Sequence, residues 1–238
     1  MLLTFIGEWR VSHFLSNSDN IFKPLIIFDC DGVLVDSEPI AASVISSLLL
    51  KNGIDMDPEK CHAQFHGFTM ESVVAWVREE CKLRLGKKFL EQYNELLAIQ
   101  MELELKPVQG ITEILEILDN PTCVVSNGSL EKIRRSLKIA NLEHFFCDQL
   151  FSSDHVKKGK PNPELFYYAA EKMGVEPSQT FVIEDSLIGV EGGMAAGMNV
   201  LAYVPGQNLD DQKYREKLES AGAKTFSKMA DLPDMLKY

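Results

Sequence analysis

Three short stretches of this chain are apolar without interruption, and each stops abruptly at a polar residue. Pro24-Leu25-Ile26-Ile27-Phe28 ends in Asp29, Thr122-Cys123-Val124-Val125 in Ser126, and Thr180-Phe181-Val182-Ile183 in Glu184-Asp185. A fourth run, Asn199-Val200-Leu201-Ala202-Tyr203, has the same form, and Gln149-Leu150-Phe151 is a weaker fifth. Runs of this length without polar alternation suit strands covered on both faces, as in a parallel sheet. Helical periodicity fills the intervals 111–118, 130–139, 163–173 and 187–196. Strand and helix therefore alternate, which predicts an α/β fold with a doubly wound, parallel-sheet (Rossmann-like) core.

One stretch breaks the alternation. Residues 40–106 show helical periodicity and no strand pattern: Val44, Leu48 and Leu49 form one stripe, Val73, Val74, Trp76 and Val77 a second, and Leu90, Tyr93, Leu96 and Leu97 a third. An all-helical cap inserted after the first strand is the simplest account. The expected division is a flexible N-terminal extension over 1–23, an α/β core over 24–39 and 107–238, and a helical cap over 40–106.

The bulk numbers narrow the partners. With 24 Lys and Arg against 35 Asp and Glu, the net charge is -11, which argues against general nucleic-acid binding through cationic contacts to phosphate. No apolar stretch approaches the roughly 20 residues needed to span a bilayer, and the first residues lack the basic start and long apolar run of a signal peptide. The five cysteines are odd in number, scattered and without a C-x-x-C pair. They read as reduced thiols of a cytoplasmic protein, with no zinc site among them. The expected partner is a small phosphorylated metabolite, met by a monomer that binds neither nucleic acid nor membrane.

In open parallel sheets, ligands bind at the carboxyl ends of the strands. Those ends deliver Asp29 and Asp31, then Ser126, Asn127 and Gly128, then Glu184, Asp185 and Ser186, while Lys160 sits in the loop before the 163–173 helix. Carboxylates massed in this way repel one another unless a cation joins them, and hard oxygen donors favour magnesium. Magnesium commonly shares its coordination with phosphate, so the substrate is expected to be anionic as well. A carboxylate attacking a phosphate dianion meets on the order of 4 kcal/mol of repulsion per charge pair at ~4 Å and an effective dielectric of about 20. A divalent ion and one lysine offset that repulsion. Ser126, with the amides beside Asn127 and Gly128, can donate to the phosphate oxygens, although a serine there can equally cap the next helix.

Four ordered segments carry a family resemblance. Asp29-Cys30-Asp31-Gly32-Val33-Leu34-Val35-Asp36-Ser37-Glu38 resembles motif one of the haloacid dehalogenase-like hydrolases in their phosphatase form. Val124-Val125-Ser126-Asn127-Gly128 resembles motif two, Gly159-Lys160-Pro161-Asn162-Pro163 motif three, and Val182-Ile183-Glu184-Asp185-Ser186 motif four. The resemblance implies that Asp29 is the nucleophile, forming an aspartyl-phosphate while its other oxygen binds Mg2+. It makes Asp31 the acid and base, with its backbone carbonyl on the metal. Ser126 and Lys160 would hold the phosphoryl group, and Asp185 would be a metal ligand, with Glu184 joining directly or through water. The family's dehalogenases lack the second aspartate, so Asp31 points to phosphoryl transfer.

The cap raises the substrate question. Gln64-Phe65-His66-Gly67-Phe68-Thr69 resembles the loop that relatives with this cap lower over the substrate, so His66 and Gly67 are candidate substrate contacts, with Gln64 behind them. Phe65 and Trp76 read as cap core, Cys30 as a packed thiol, and Lys157 and Lys158 as solvated surface. The chain also resembles the β-phosphoglucomutase branch, but Ala41 and His66 stand where those mutases typically carry a histidine and a lysine. That difference favours water as the acceptor, and sugar-phosphate or 6-phosphogluconate phosphatases are the nearer resemblance. A phosphate-binding regulatory protein without turnover is the alternative from a different class.

Overall fold

The computed structural model describes residues 23–206 and 209–236; most of the extension expected over 1–23 lies outside them. The chain order is β1 (Leu25–Phe28), α1 (Glu38–Lys51), α2 (Pro58–Phe65), α3 (Met70–Glu80), α4 (Lys87–Glu104), α5 (Ile111–Ile117), β2 (Thr122–Ser126), α6 (Leu130–Ile139) and α7 (Glu143–Phe146). There follow β3 (Leu150–Ser152), α8 (Glu164–Met173), β4 (Thr180–Glu184), α9 (Leu187–Ala195), β5 (Asn199–Tyr203), α10 (Leu209–Ser220), β6 (Lys224–Phe226) and α11 (Leu232–Met235).

All six strands are parallel, in the order β3-β2-β1-β4-β5-β6. Alternate residues of each central strand enter opposite cores, as the strand period of two requires. Ile26, Phe28, Val124, Phe181, Ile183 and Leu201 pack on one face with α5, α6, α7 and α11. Leu25, Ile27, Cys123, Val125, Val182 and Val200 pack on the other with α8, α9 and α10. Both faces are covered, which is why these strands carry no polar alternation.

The stretch without strands is four helices, α1 to α4, around Leu48, Leu49, Cys61, Phe65, Val73, Val77, Phe89 and Tyr93. All three stripes read from the sequence contribute to this cluster, with Trp76 packed against its margin. Near the end of α4, Met101 passes instead into the core beside the sheet. Strand β6 was not expected. It is a three-residue edge strand whose side chains run from exposed Lys224 to buried Phe226, so it offers no apolar run.

Among the described residues no helix is long and apolar enough to cross a membrane. All five cysteines are free, and Cys30 is buried in the core as a packed thiol. Ile27 is fully enclosed at the centre of the sheet, so Ile27→Ala should cost about 2–5 kcal/mol. In thermal denaturation that corresponds to a fall in Tm on the order of 10 °C.

Candidate active site

The sheet order reverses direction between β1 and β4, since β2 and β3 lie on one side of β1 and β4 to β6 on the other. At such a switch point the two outgoing connections leave in opposite directions and open a crevice beyond the strand ends. Asp29 follows β1 there, its N–H continuing the ladder to the Ile183 carbonyl at 2.9 Å. Glu184 closes β4 and Asp185 follows it. All three carboxylates are buried, Glu184 completely.

Lys160 reaches into the same crevice from the loop before α8. Its Nζ donates to Asp29 Oδ1 and to the Val125 carbonyl, each at 2.7 Å, and to Glu184 Oε1. An ammonium has three donors, and all three are used. The backbone of Lys160 is fixed in turn by Asn127: its N–H donates to Asn127 Oδ1 at 2.8 Å, and its carbonyl accepts from Asn127 Nδ2 at 3.0 Å. The Asn127 side chain thus ties the lysine loop to the end of β2, a structural task beside the substrate contact expected of it. Lys157 and Lys158 are exposed, as expected.

Burial dominates the electrostatics. It pushes the Asp29 carboxyl up to about 7, against the pull of Lys160 and with a further push from Glu184. Glu184 and Asp185 are raised as well, chiefly by burial. Burial opposes the Lys160 cation, but Asp29 and Glu184 outweigh it and hold the ammonium protonated. Asp29, Glu184 and Asp185 each place an oxygen within 4.8 Å of the others, a grouping able to hold a metal ion. The three differ in their commitments. Glu184 is engaged at both ends, by Lys160 and by the Ser186 hydroxyl at 3.0 Å. Asp185 has His66 Nε2 at 3.7 Å, beyond hydrogen-bond length. Space is so tight that a Cβ on Gly32, which has φ +76°, would fall 1.8 Å from Asp185 Oδ2.

Asp31 stands apart from this cluster. Its Oδ2 accepts from Lys132 Nζ at 2.7 Å, while its Oδ1 is buried with no hydrogen-bond partner among the described residues. The sequence reading missed Lys132. A signal was present, because Lys132 is the third residue of α6 after the N-cap Ser129, where the helix dipole disfavours a cation. A lysine placed there calls for a nearby acid. Ser129, not Ser126, caps α6, through a 3.2 Å bond from the Lys132 N–H. Ser126 is buried beside Gly128, whose N–H donates to its Oγ at 3.1 Å.

The helical lobe supplies the remaining wall. His66 closes α2, followed by Gly67, and its ring meets Tyr214 edge-on with centroids 4.6 Å apart. Tyr214, from α10, donates to the Asp185 carbonyl at 3.1 Å; it lies on a polar helix that carried no motif. Burial opposes protonation of His66, but Asp185 and Glu38 outweigh it and raise its pKa. Glu38, at the start of α1, is pushed up to about 7 by burial and by Asp185. Gln64 is exposed. Phe65 and Trp76 pack against each other with centroids 5.1 Å apart, as cap core.

Two outcomes are expected. Lys160→Met leaves Asp29 and Glu184 buried without their cation, so urea unfolding should show a loss of about 3–5 kcal/mol. In the metal-free protein the folded state keeps a proton on Asp29 up to about pH 7, whereas the unfolded chain loses it in the ordinary carboxylate range. The folded state therefore binds more protons across that window, and stability falls as pH rises through it. Unfolding in chelator between pH 4 and 8 should show this decline, and Asp29→Asn should make it shallower.

Comparison with known proteins gives the family. Residues 26–203 match the family described as haloacid dehalogenase-like hydrolase. The chain is 31% identical to the 6-phosphogluconate phosphatase of Escherichia coli (strain K12) over 213 residues, covering 89% of this chain and 94% of that one. A haloacid dehalogenase-like protein of unknown function from Agrobacterium tumefaciens superposes with a TM-score of 0.84 at 33% identity, covering 90% of this chain and 98% of that one. A hydrolase of the same family from Deinococcus radiodurans, solved with bound phosphate and sodium, superposes with a TM-score of 0.78 at 29% identity, covering 90% and 95%. With the family match spanning residues 26–203, most of the chain, this protein belongs to the haloacid dehalogenase-like hydrolases.

Proposed function

We propose that this protein is a magnesium-dependent phosphatase acting on a small phosphate monoester of a sugar or sugar acid, such as 6-phosphogluconate, through an aspartyl-phosphate. The observation that carries the reading is the division between its two aspartates. Asp29 is held by Lys160 beside two further acids, and Asp31, two residues on, keeps one oxygen outside every hydrogen bond among the described residues. A nucleophile fixed in place and an acid-base group with an oxygen to spare are the two parts that phosphoryl transfer through a carboxylate needs. The name of the relative from Escherichia coli supports the choice of substrate class.

The donor set fits magnesium. It consists of hard carboxylate oxygens, with no thiolate or imidazole in the group, and three buried acids face the single ammonium of Lys160. Asp29, Asp185 and the Asp31 backbone carbonyl would hold the ion, with Glu184 behind them. Bound there, magnesium supplies positive charge against the phosphate dianion.

The chain's own residues then divide the work. A carboxylate oxygen of Asp29 attacks phosphorus as the bond to the leaving oxygen breaks, and Asp31 gives that oxygen its proton. Asp31, now a carboxylate, takes a proton from water, which attacks the aspartyl-phosphate and frees Asp29 and phosphate. Ser126 donates to the phosphoryl oxygens. Lys160 orients Asp29 and must exchange one of its three protein acceptors to reach the phosphoryl group. Lys132 orients Asp31. Water rather than a second sugar hydroxyl is the acceptor, since Ala41 and His66 stand where the resembling mutases typically carry a histidine and a lysine.

A panel of phosphorylated sugars and sugar acids should be hydrolysed with Mg2+ and left intact in chelator. Asp29→Asn should lower kcat by a factor on the order of 10^4 or more, with an unchanged far-UV CD spectrum. Asp31→Asn should lower it by about 10^2–10^4. Turnover near the wild-type rate in Asp29→Asn would exclude Asp29 as the nucleophile.

A further inference from the structure

Beside the acidic site lies a second group of ligating side chains that the proposed reaction does not use as a set. Glu38, His62 and His66 each place a ligand atom within 4.8 Å of the others. His62 and His66 stand four residues apart at the end of α2, a spacing that puts both side chains on one helix face. Their rings lie side by side, with centroids 5.2 Å apart and planes 33° from parallel. Glu38 opens α1, the helix packed against α2. All three are half-buried. Asp36 adds negative charge near His62, and Asp211 near both histidines.

The chemistry of this set differs from that of Asp29, Glu184 and Asp185. Magnesium takes oxygen donors and dehydrates reluctantly. Two imidazoles and a carboxylate are the donors of three-ligand zinc sites, in which a fourth position stays open. Zinc bonds of about 2.0–2.1 Å put neighbouring donors roughly 3.3 Å apart in a tetrahedron. The observed separations, all within 4.8 Å, lie no more than about 1.5 Å beyond that spacing.

We propose that Glu38, His62 and His66 form a binding site for Zn2+, separate from the magnesium site, and that zinc bound there inhibits turnover. The inhibition follows from position. His66 lies between the two groups, 3.7 Å from Asp185, and its loop resembles the one that closes over the substrate. Zinc would pin that loop to the first turn of α1. His66 is a candidate substrate contact and Glu38 lies against Asp185 and Asp31, whereas His62 has no part in the proposed reaction, which makes it the discriminating position.

The test is isothermal titration of Zn2+ into the full chain with saturating Mg2+, alongside Mg2+-dependent turnover on the best substrate of the panel. One zinc per chain is expected to bind and to inhibit. Loss of a mere outer-shell partner costs about 10–100-fold in metal affinity, so His62→Ala, which removes a ligand, should weaken zinc by at least ~100-fold. The same variant should keep wild-type turnover in Mg2+ and lose the inhibition. His62→Gln serves as a second variant if the alanine form melts early. Wild-type zinc affinity in both variants would overturn the proposal. So would displacement of zinc by excess Mg2+, which would put the ion on Asp29 and Asp185 instead. The titration reads binding directly, so it decides the site even if no phosphatase activity is found.

Discussion

The ammonium of Lys160 is the interaction around which this protein is arranged. It sits in the interior and joins groups brought by three different strands: Asp29 beyond β1, the Val125 carbonyl of β2, and Glu184 of β4. Burying a charge is unfavourable unless it is paired and its hydrogen bonds are made. Here one cation meets two acids and a carbonyl, so the lysine is fully satisfied while the acids are not. Burial, with a smaller push from the neighbouring acids, keeps the carboxyls of Asp29, Glu184 and Asp185 raised despite Lys160, and a further cation would relieve both.

Holding so many acids in a small volume constrains the backbone around them. Gly32 turns the chain at φ +76° directly over Asp185, and Gly189 lies against Glu184, where a Cβ would sit 1.9 Å from the carboxyl carbon. Ser186 serves two sides at once. Its hydroxyl donates to Glu184 and accepts from the Gly189 N–H, capping α9. Helix caps, turns and charge pairs are thus the same atoms, so a change at one propagates to the others.

The helical lobe follows a different logic. It has its own apolar cluster, and toward the catalytic edge it presents Glu38 and His66, a carboxyl and an imidazole near Asp185. The sheet edge supplies groups that any phosphoryl transfer needs, and the lobe supplies groups of a different character.

The apolar runs at 24–28, 122–125, 180–183 and 199–203 determined the parallel sheet by themselves, because only strands buried on both faces lack polar alternation. The four ordered motifs likewise named Asp29, Asp31, Ser126, Lys160 and Asp185, since strand ends in such a sheet converge on one edge. Edge strand β6 was illegible, with one buried residue and no run. Lys132 and Tyr214 were equally hidden, because their roles rest on contacts to Asp31 and Asp185 across about 101 and 29 residues of chain respectively. The tertiary structure alone decided how the charges pair: which acid Lys160 holds, which Lys132 holds, and where His66 lies. Pairing depends on distance and burial at a site drawn from many segments, and residue type in sequence encodes neither.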